Sequence, residues 1–153
     1  MSRLENRIPP PLVAAAFAIL MAACARLLPG ATLRFSGQAA AAAVLLGAGL
    51  GVMAFAIGQF ARLRTTIDPV HLDRTRVLVA SGIFRLSRNP MYLSLALLLA
   101  AWGVWLGNAA SLVLIAGFVA YIGRLQIAPE ERALRAKFGE EFEAYMQRVR
   151  RWL

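Results

Sequence analysis

Three long stretches without a charged side chain constrain the fold of this 153-residue chain more than any other feature. They cover residues 8–25, 35–61 and 89–123. An α-helix needs about 20 apolar residues to cross the hydrocarbon core of a bilayer, so the first two stretches each fit one span. The third is too long for one span and fits two short helices. Gly107 and Asn108 would form the turn between them, because both tolerate the positive φ of a tight helical hairpin.

These lengths predict an all-α, polytopic membrane protein that forms a single domain over residues 1–153. A mean hydropathy of +0.61 agrees with that class. We expect about four transmembrane helices, one long loop and a tail with an amphipathic helix. The predicted helices lie near 12–28, 38–60, 90–106 and 109–128, with a cytoplasmic loop at 62–88 and a cytoplasmic tail at 129–153.

The 17 Lys and Arg residues are distributed unevenly about these helices. If both termini are cytoplasmic, only Arg26 and Arg34 lie on the far side of the membrane. This is the positive-inside distribution, and it predicts a multi-pass protein of a bacterial inner (cytoplasmic) membrane with both termini in the cytoplasm. The net charge of +9 then favours a lipid bilayer with anionic headgroups, and we expect no nucleic-acid partner.

The tail carries apolar residues three or four positions apart, which predicts one apolar helical stripe. The stripe consists of Leu134, Phe138, Phe142, Tyr145 and Val149. Such an amphipathic helix would lie on the cytoplasmic surface or fold back against the bundle. Gly139 lies in the middle of the pattern and predicts a break in the helix.

Few residue types that bind metals occur in this sequence. His71 and Cys24 are each the only residue of their kind, so we expect no metal site. The adjacent carboxylates of Glu130 and Glu131 are more informative, because polar groups at a membrane edge often mark function. On a helix their side chains point about 100° apart and face different neighbours. Without a ligand they would stabilise the helix start after Pro129 or pair with nearby arginines.

Two segments resemble the isoprenylcysteine carboxyl methyltransferase family and its bacterial relatives, and phospholipid methyltransferases share a looser form of the pattern. The first reads Leu78-Val79-Ala80-Ser81-Gly82-Ile83-Phe84, then Arg88-Asn89-Pro90-Met91-Tyr92. The second reads Glu130-Glu131, then Leu134, Phe138-Gly139-Glu140-Glu141-Phe142, Tyr145 and Arg148-Val149-Arg150-Arg151. The resemblance covers roughly residues 65–153. It departs from the family at Phe84, often a tyrosine there, and at Gln126, where eukaryotic members have an arginine linked to substrate.

The resemblance implies a methyltransferase that uses S-adenosylmethionine at the cytoplasmic edge of the bundle. The implied cofactor-binding residues are Arg76, Val77, Leu78, Val79, Phe84, Asn89, Pro90, Met91, Tyr92 and Glu130. A carboxylate such as Glu130 can pair with a cationic part of the donor, and Arg88 with the donor's carboxylate. Glu131 is the candidate base if the acceptor must lose a proton. Gln126 is the candidate residue on the acceptor side.

The acceptor is expected to be lipidic or amphiphilic and to enter from the bilayer. Prenylcysteine, a phospholipid amine, an isoprenoid or a small thiol all remain open. An amide at Gln126 cannot pair with a carboxylate as the fork of an arginine does, which argues against a free prenylcysteine carboxylate. Two other functions also remain open: a membrane reductase that is related to sterol reductases and uses NADPH, and a non-catalytic membrane scaffold.

Overall fold

The computed structural model describes residues 8–63 and 78–153, and its regular structure there is helical. No strand occurs in these two ranges, so the prediction of an all-α, polytopic membrane protein is confirmed. The six α-helices are α1 (Pro10–Leu27), α2 (Gln38–Leu63), α3 (Pro90–Leu106), α4 (Ala109–Ile122), α5 (Ala128–Phe138) and α6 (Glu140–Arg148). Short 3₁₀ turns occupy Pro29–Ala31 and Gly82–Arg85.

The predicted spans agree with the apolar helices, with one difference at the last of them. The helix α1, the helix α2 and the continuous helical segment Ala109–Phe138 are each long and apolar enough to cross a membrane, and α3 is a shorter apolar helix of 17 residues. Beyond the predicted end of the last helix near 128 the chain stays helical, because α4 continues into α5. A π-helical turn at Gly123–Ile127 joins them, and it widens the helix where the Pro129 ring would otherwise press on the preceding turn.

The apolar helix α3 lies at the centre of the bundle. It packs against α1, α2 and α4, while α1 also packs along α4. The main core cluster contains residues from all of these helices except α2: Val13, Ala14, Met21, Tyr92, Leu95, Leu99, Phe118, Ile122 and the nearby Ile127. Large apolar side chains such as Ile19, Phe55 and Val113 are exposed on the outside, as expected for surfaces that face lipid.

The turn between α3 and α4 agrees with the prediction and is tied to the connection between α1 and α2. Gly107 has φ 61, in the left-handed region that glycine tolerates. A Cβ atom there would lie 2.6 Å from the Gln38 amide nitrogen, which donates to the Val104 carbonyl at 2.8 Å. Asn108 has a negative φ and caps α4 instead, accepting from the Ser111 N–H at 3.1 Å and donating to the Leu28 carbonyl at 2.9 Å.

The amphipathic stripe of the tail folds back onto the bundle. Phe142, Tyr145 and Val149 form a core cluster with Leu78 and Ala80, and the helix breaks at Gly139, where φ is 50. The Tyr145 hydroxyl donates to the Phe84 carbonyl at 2.6 Å, and burial raises the pKa of Tyr145 to about 12. The helix α6 is therefore held against the segment that precedes α3.

Candidate active site

The first turns of α3 and α5 meet at one edge of the bundle and bring a tyrosine to a glutamate. Tyr92 lies in the first turn of α3, which Pro90 opens at a position where a missing N–H costs nothing. Its side chain is buried, and its hydroxyl donates to Glu130 Oε1 in the first turn of α5. The hydrogen bond joins residues 38 positions apart.

The Glu130 carboxyl group has no cationic partner within residues 8–63 and 78–153. Its carboxylate is partly buried and has the Tyr92 hydroxyl as its hydrogen-bond partner in those ranges. An ionised carboxylate that is withdrawn from water and left unpaired costs free energy. A cationic ligand at this position would therefore be bound favourably.

The neighbouring Glu131 is in the opposite electrostatic situation. Its Oε1 accepts hydrogen bonds from Arg88 Nη2 at 2.8 Å and from Arg151 Nε at 3.1 Å, and its Oε2 pairs with Arg151 Nη2. The expectation that the two carboxylates face different neighbours agrees with this arrangement. We call Arg88, Glu131 and Arg151 the Glu131 ion-pair cluster.

Arg88 links this cluster to the end of α6. One guanidinium nitrogen, Nη1, donates to the Met146 carbonyl at 3.2 Å and to the Val149 carbonyl, and the Arg88 backbone N–H donates to the Arg150 carbonyl at 3.0 Å. Nε is buried and has no acceptor among the described residues. In this arrangement the terminal nitrogens of the side chain bind groups of the protein itself.

The other predicted cofactor residues fall into three groups. Val79, Phe84 and Met91 share a small apolar cluster, in which Phe60 meets the Phe84 ring edge-on at 5.4 Å. Leu78 packs with the α6 cluster, and Pro90 is fully buried at the start of α3. The third group, Arg76 and Val77, lies outside the described residues together with most of the predicted loop.

Two polar residues of the predicted site contact protein groups that sequence reasoning did not foresee. Asn89 donates through Nδ2 to the Arg151 carbonyl at 3.0 Å. Gln126, in the π-helical turn, is buried and donates through Nε2 to the Ile8 carbonyl at 2.9 Å, so it contacts the segment just before α1. No hydrogen bond joins Gln126 to Glu130 in the described part of the chain.

Arg151 is the residue of this edge that was missed. It was included in the resemblance only as part of the run from Arg148 to Arg151, with no role of its own. A cation 20 positions after Glu131 gives no local signal, because their contact depends on how the segment after α6 returns.

Comparison with known proteins identifies the family of this chain. A family model described as phospholipid methyltransferase matches residues 38–141, more than half of the chain. The chain belongs to the phospholipid methyltransferase family. This is a family of membrane methyltransferases that act on lipid, so the prediction of a membrane methyltransferase is confirmed at that level and a reductase is not favoured. The predicted looser similarity to phospholipid methyltransferases is also confirmed, while the narrower link to isoprenylcysteine carboxyl methyltransferases stays a prediction.

A bacterial relative is similar to part of this chain, and its description names no activity. An uncharacterised protein of Haemophilus influenzae is 51% identical over 63 residues, which make up 41% of this chain and all of that protein. No solved structure matches this member of the phospholipid methyltransferase family. The family match contains the Tyr92–Glu130 pair and ends before Arg151.

Proposed function

We propose that this protein transfers a methyl group from S-adenosylmethionine to a lipidic acceptor at the edge of the membrane. The observation that carries the proposal is Glu130, a partly buried carboxylate with a hydrogen bond from Tyr92 and no cationic partner in the described ranges. Membership of a methyltransferase family supplies the reaction class. The donor, a sulfonium with an α-ammonium group, is the cation that such a family would place there.

Other residues of the predicted cofactor set fit the chemistry of this donor. The apolar cluster of Val79, Phe84 and Met91 adjoins the start of α3 and would offer a surface for a flat, weakly polar adenine ring. Leu78, Asn89 and Pro90 flank that surface along the chain, and Arg76 and Val77 remain part of the proposal. When bound, the donor supplies an electrophilic methyl group, so the main task of the protein is to align it with the acceptor.

The two arginines on Glu131 favour a positioning role for that carboxylate over its predicted role as a base. Both of its oxygens accept hydrogen bonds from guanidinium groups, which stabilise the ionised form and hold the side chain in place. Arg88 would likewise support the site through Glu131 and the α6 carbonyls instead of binding the donor's carboxylate. A headgroup amine is an ammonium ion at neutral pH, because its pKa lies near that of lysine, about 10.4. It therefore loses a proton, to water in this proposal, before its lone pair attacks the methyl group.

We favour a phospholipid headgroup amine as the acceptor, following the description of the family. Gln126 agrees with this choice, because a buried amide that is bound to the Ile8 carbonyl offers no bidentate partner to a prenylcysteine carboxylate. An amphiphile of this kind would reach the edge of the bundle from within the bilayer, where it is concentrated.

Ligand binding to the purified protein tests the proposal directly. We expect calorimetry to detect S-adenosylhomocysteine and no NADPH, and a lipid extract to accept label from methyl-labelled donor. Binding of NADPH alone would support a reductase. If neither nucleotide binds, the non-catalytic scaffold becomes the better interpretation and the methyltransferase proposal fails.

The proposal also places the Tyr92–Glu130 edge and both termini on the cytoplasmic side, where the donor is made. The charge distribution carries this orientation, since Arg26 and Arg34 are the basic residues assigned to the far side. Reporter fusions that end at Asn108 and at Leu153 should report opposite sides of the membrane. The same side at both positions would contradict the orientation and the four-span topology together.

A further inference from the structure

The segment that follows α6 contributes to the candidate site, although the family match ends at residue 141. Arg150 and Arg151 offer backbone carbonyls to the Arg88 N–H and the Asn89 side chain, and the Arg151 guanidinium binds Glu131. Trp152 packs against the main core cluster just beyond. The segment therefore contacts the start of both helices that carry the Tyr92–Glu130 pair.

Two side-chain contacts join the same two helix starts. Tyr92 bonds to Glu130, and Arg88, four positions before Tyr92, bonds to Glu131, the residue after Glu130. Two contacts between the same pair of segments restrict both the distance and the rotation between them. The position of Glu130 relative to Tyr92 thus depends on where the Glu131 carboxylate is held.

We propose that Arg151 is a positioning residue for the donor site, acting through Glu131. Its guanidinium binds both carboxylate oxygens of Glu131, so that Glu131 in turn holds Arg88 and the two helix starts keep their register. The inference rests on the proposed function, because it assumes that the Tyr92–Glu130 pair receives the cation of the donor. No contact between Arg151 and the donor is part of it.

The expected effect is moderate, because the Arg151 side chain is 43% exposed while Glu131 is only 14% exposed. Water and salt screen such an ion pair, and Glu131 keeps its hydrogen bond from Arg88 when Arg151 is removed. We expect Arg151→Ala to weaken binding of S-adenosylhomocysteine by about fivefold, the upper range for a partly exposed ion pair. Arg151→Lys keeps the charge but loses the fork, so it should recover part of the affinity.

The matched control is Arg148→Ala, which removes the same charge from an exposed arginine three positions earlier. Among the residues that the structure describes, the Arg148 side chain bonds within its own helix, to the Ala144 carbonyl at 3.2 Å. Its variant should bind S-adenosylhomocysteine like the wild type. Equal losses in Arg148→Ala and Arg151→Ala would indicate a general charge effect and overturn the proposal.

A double-mutant cycle tests whether Arg151 acts through Glu131. Glu131→Gln keeps an acceptor for Arg88 and removes the charge that Arg151 binds. In that background Arg151→Ala should cost less than about twofold, because interacting residues are not additive. The same fivefold loss of affinity in both backgrounds would show that Arg151 does not act through Glu131, and would refute the inference.

Kinetics and unfolding separate positioning from simple stabilisation. With labelled donor and lipid extract, Arg151→Ala should raise the KM for the donor and leave kcat nearly unchanged, while the unliganded protein unfolds at nearly the wild-type temperature. If Arg151→Ala unfolds at a lower temperature but binds S-adenosylhomocysteine with wild-type affinity, Arg151 stabilises the fold and does not position the donor site. If wild-type protein binds no S-adenosylhomocysteine, the proposed function falls and this inference falls with it. If the wild type binds S-adenosylhomocysteine and Arg151→Ala binds it equally well, the inference about Arg151 is refuted and the proposed function is not.

Discussion

Replacing Glu130 with glutamine is expected to weaken binding of S-adenosylmethionine by about ten- to a hundredfold. Glutamine has nearly the same shape and its carbonyl can still accept the Tyr92 hydrogen bond, so the change removes mainly the charge. Loss of a hydrogen bond or contact to a charged group costs roughly 1.5–3 kcal/mol, which corresponds to that range of affinity. Calorimetry on purified protein measures it directly.

Comparing two ligands in this variant shows which cation Glu130 binds. S-adenosylhomocysteine lacks the sulfonium charge but keeps the α-ammonium group. If Glu130 pairs with the sulfonium, Glu130→Gln lowers the affinity for S-adenosylmethionine more than that for S-adenosylhomocysteine. If it pairs with the ammonium group, both affinities fall equally.

The matched control for this experiment is Glu141→Gln, because Glu141 is an exposed carboxylate in the first turn of α6. It carries the same charge at a helix start and should bind both ligands as the wild type does. Wild-type affinity for both ligands in Glu130→Gln would refute the role of Glu130 as a cation receptor. The proposed function would then lose the observation that carries it.

Replacing Arg88 with methionine is expected to destabilise the protein by about 3 kcal/mol, the lower end for breaking a buried ion pair. The Arg88 side chain is only 12% exposed. Its loss leaves Glu131 with Arg151 alone and removes a donor from the carbonyls of Met146 and Val149. In detergent, the unfolding temperature should fall by on the order of 10 °C.

Arg88→Lys tests whether stability depends on the several N–H donors of the guanidinium group or on the positive charge alone. A lysine has one nitrogen and cannot reach Glu131 and the carbonyls at the end of α6 in one geometry, so most of the destabilisation should remain. Arg85→Met is the control, because Arg85 is exposed in the preceding 3₁₀ turn. An Arg88→Met protein that unfolds within about 2 °C of the Arg85→Met protein, at an expected 2–4 °C per kcal/mol, would show that the cluster contributes little to stability.

Local patterns in the sequence were sufficient for the architecture. The uncharged stretches predicted the apolar helices because a bilayer requires a certain length of apolar helix, whatever its neighbours. Gly107 marked the hairpin and Gly139 the break in the tail because glycine enters the left-handed region at little cost. Pro90 marked the start of α3, because proline suits the first position of a helix, where its missing N–H would have no partner. Pro129 left the continuation of α4 into α5 open, since a π-helical turn depends on packing that the sequence does not display.

The sequence determined by itself which residue types would gather at one membrane edge, and only the tertiary structure decided how they pair. Glu130 and Glu131 are identical side chains in adjacent positions, so no local rule tells which one is compensated. The return of the segment after α6 places Arg151 on Glu131, and the start of α3 brings Arg88 to the same carboxylate. Glu130 is left with Tyr92. These contacts join residues between 20 and 43 positions apart. Helix formation depends on neighbours within one or two turns, whereas the electrostatics of the site depends on how distant helices pack together.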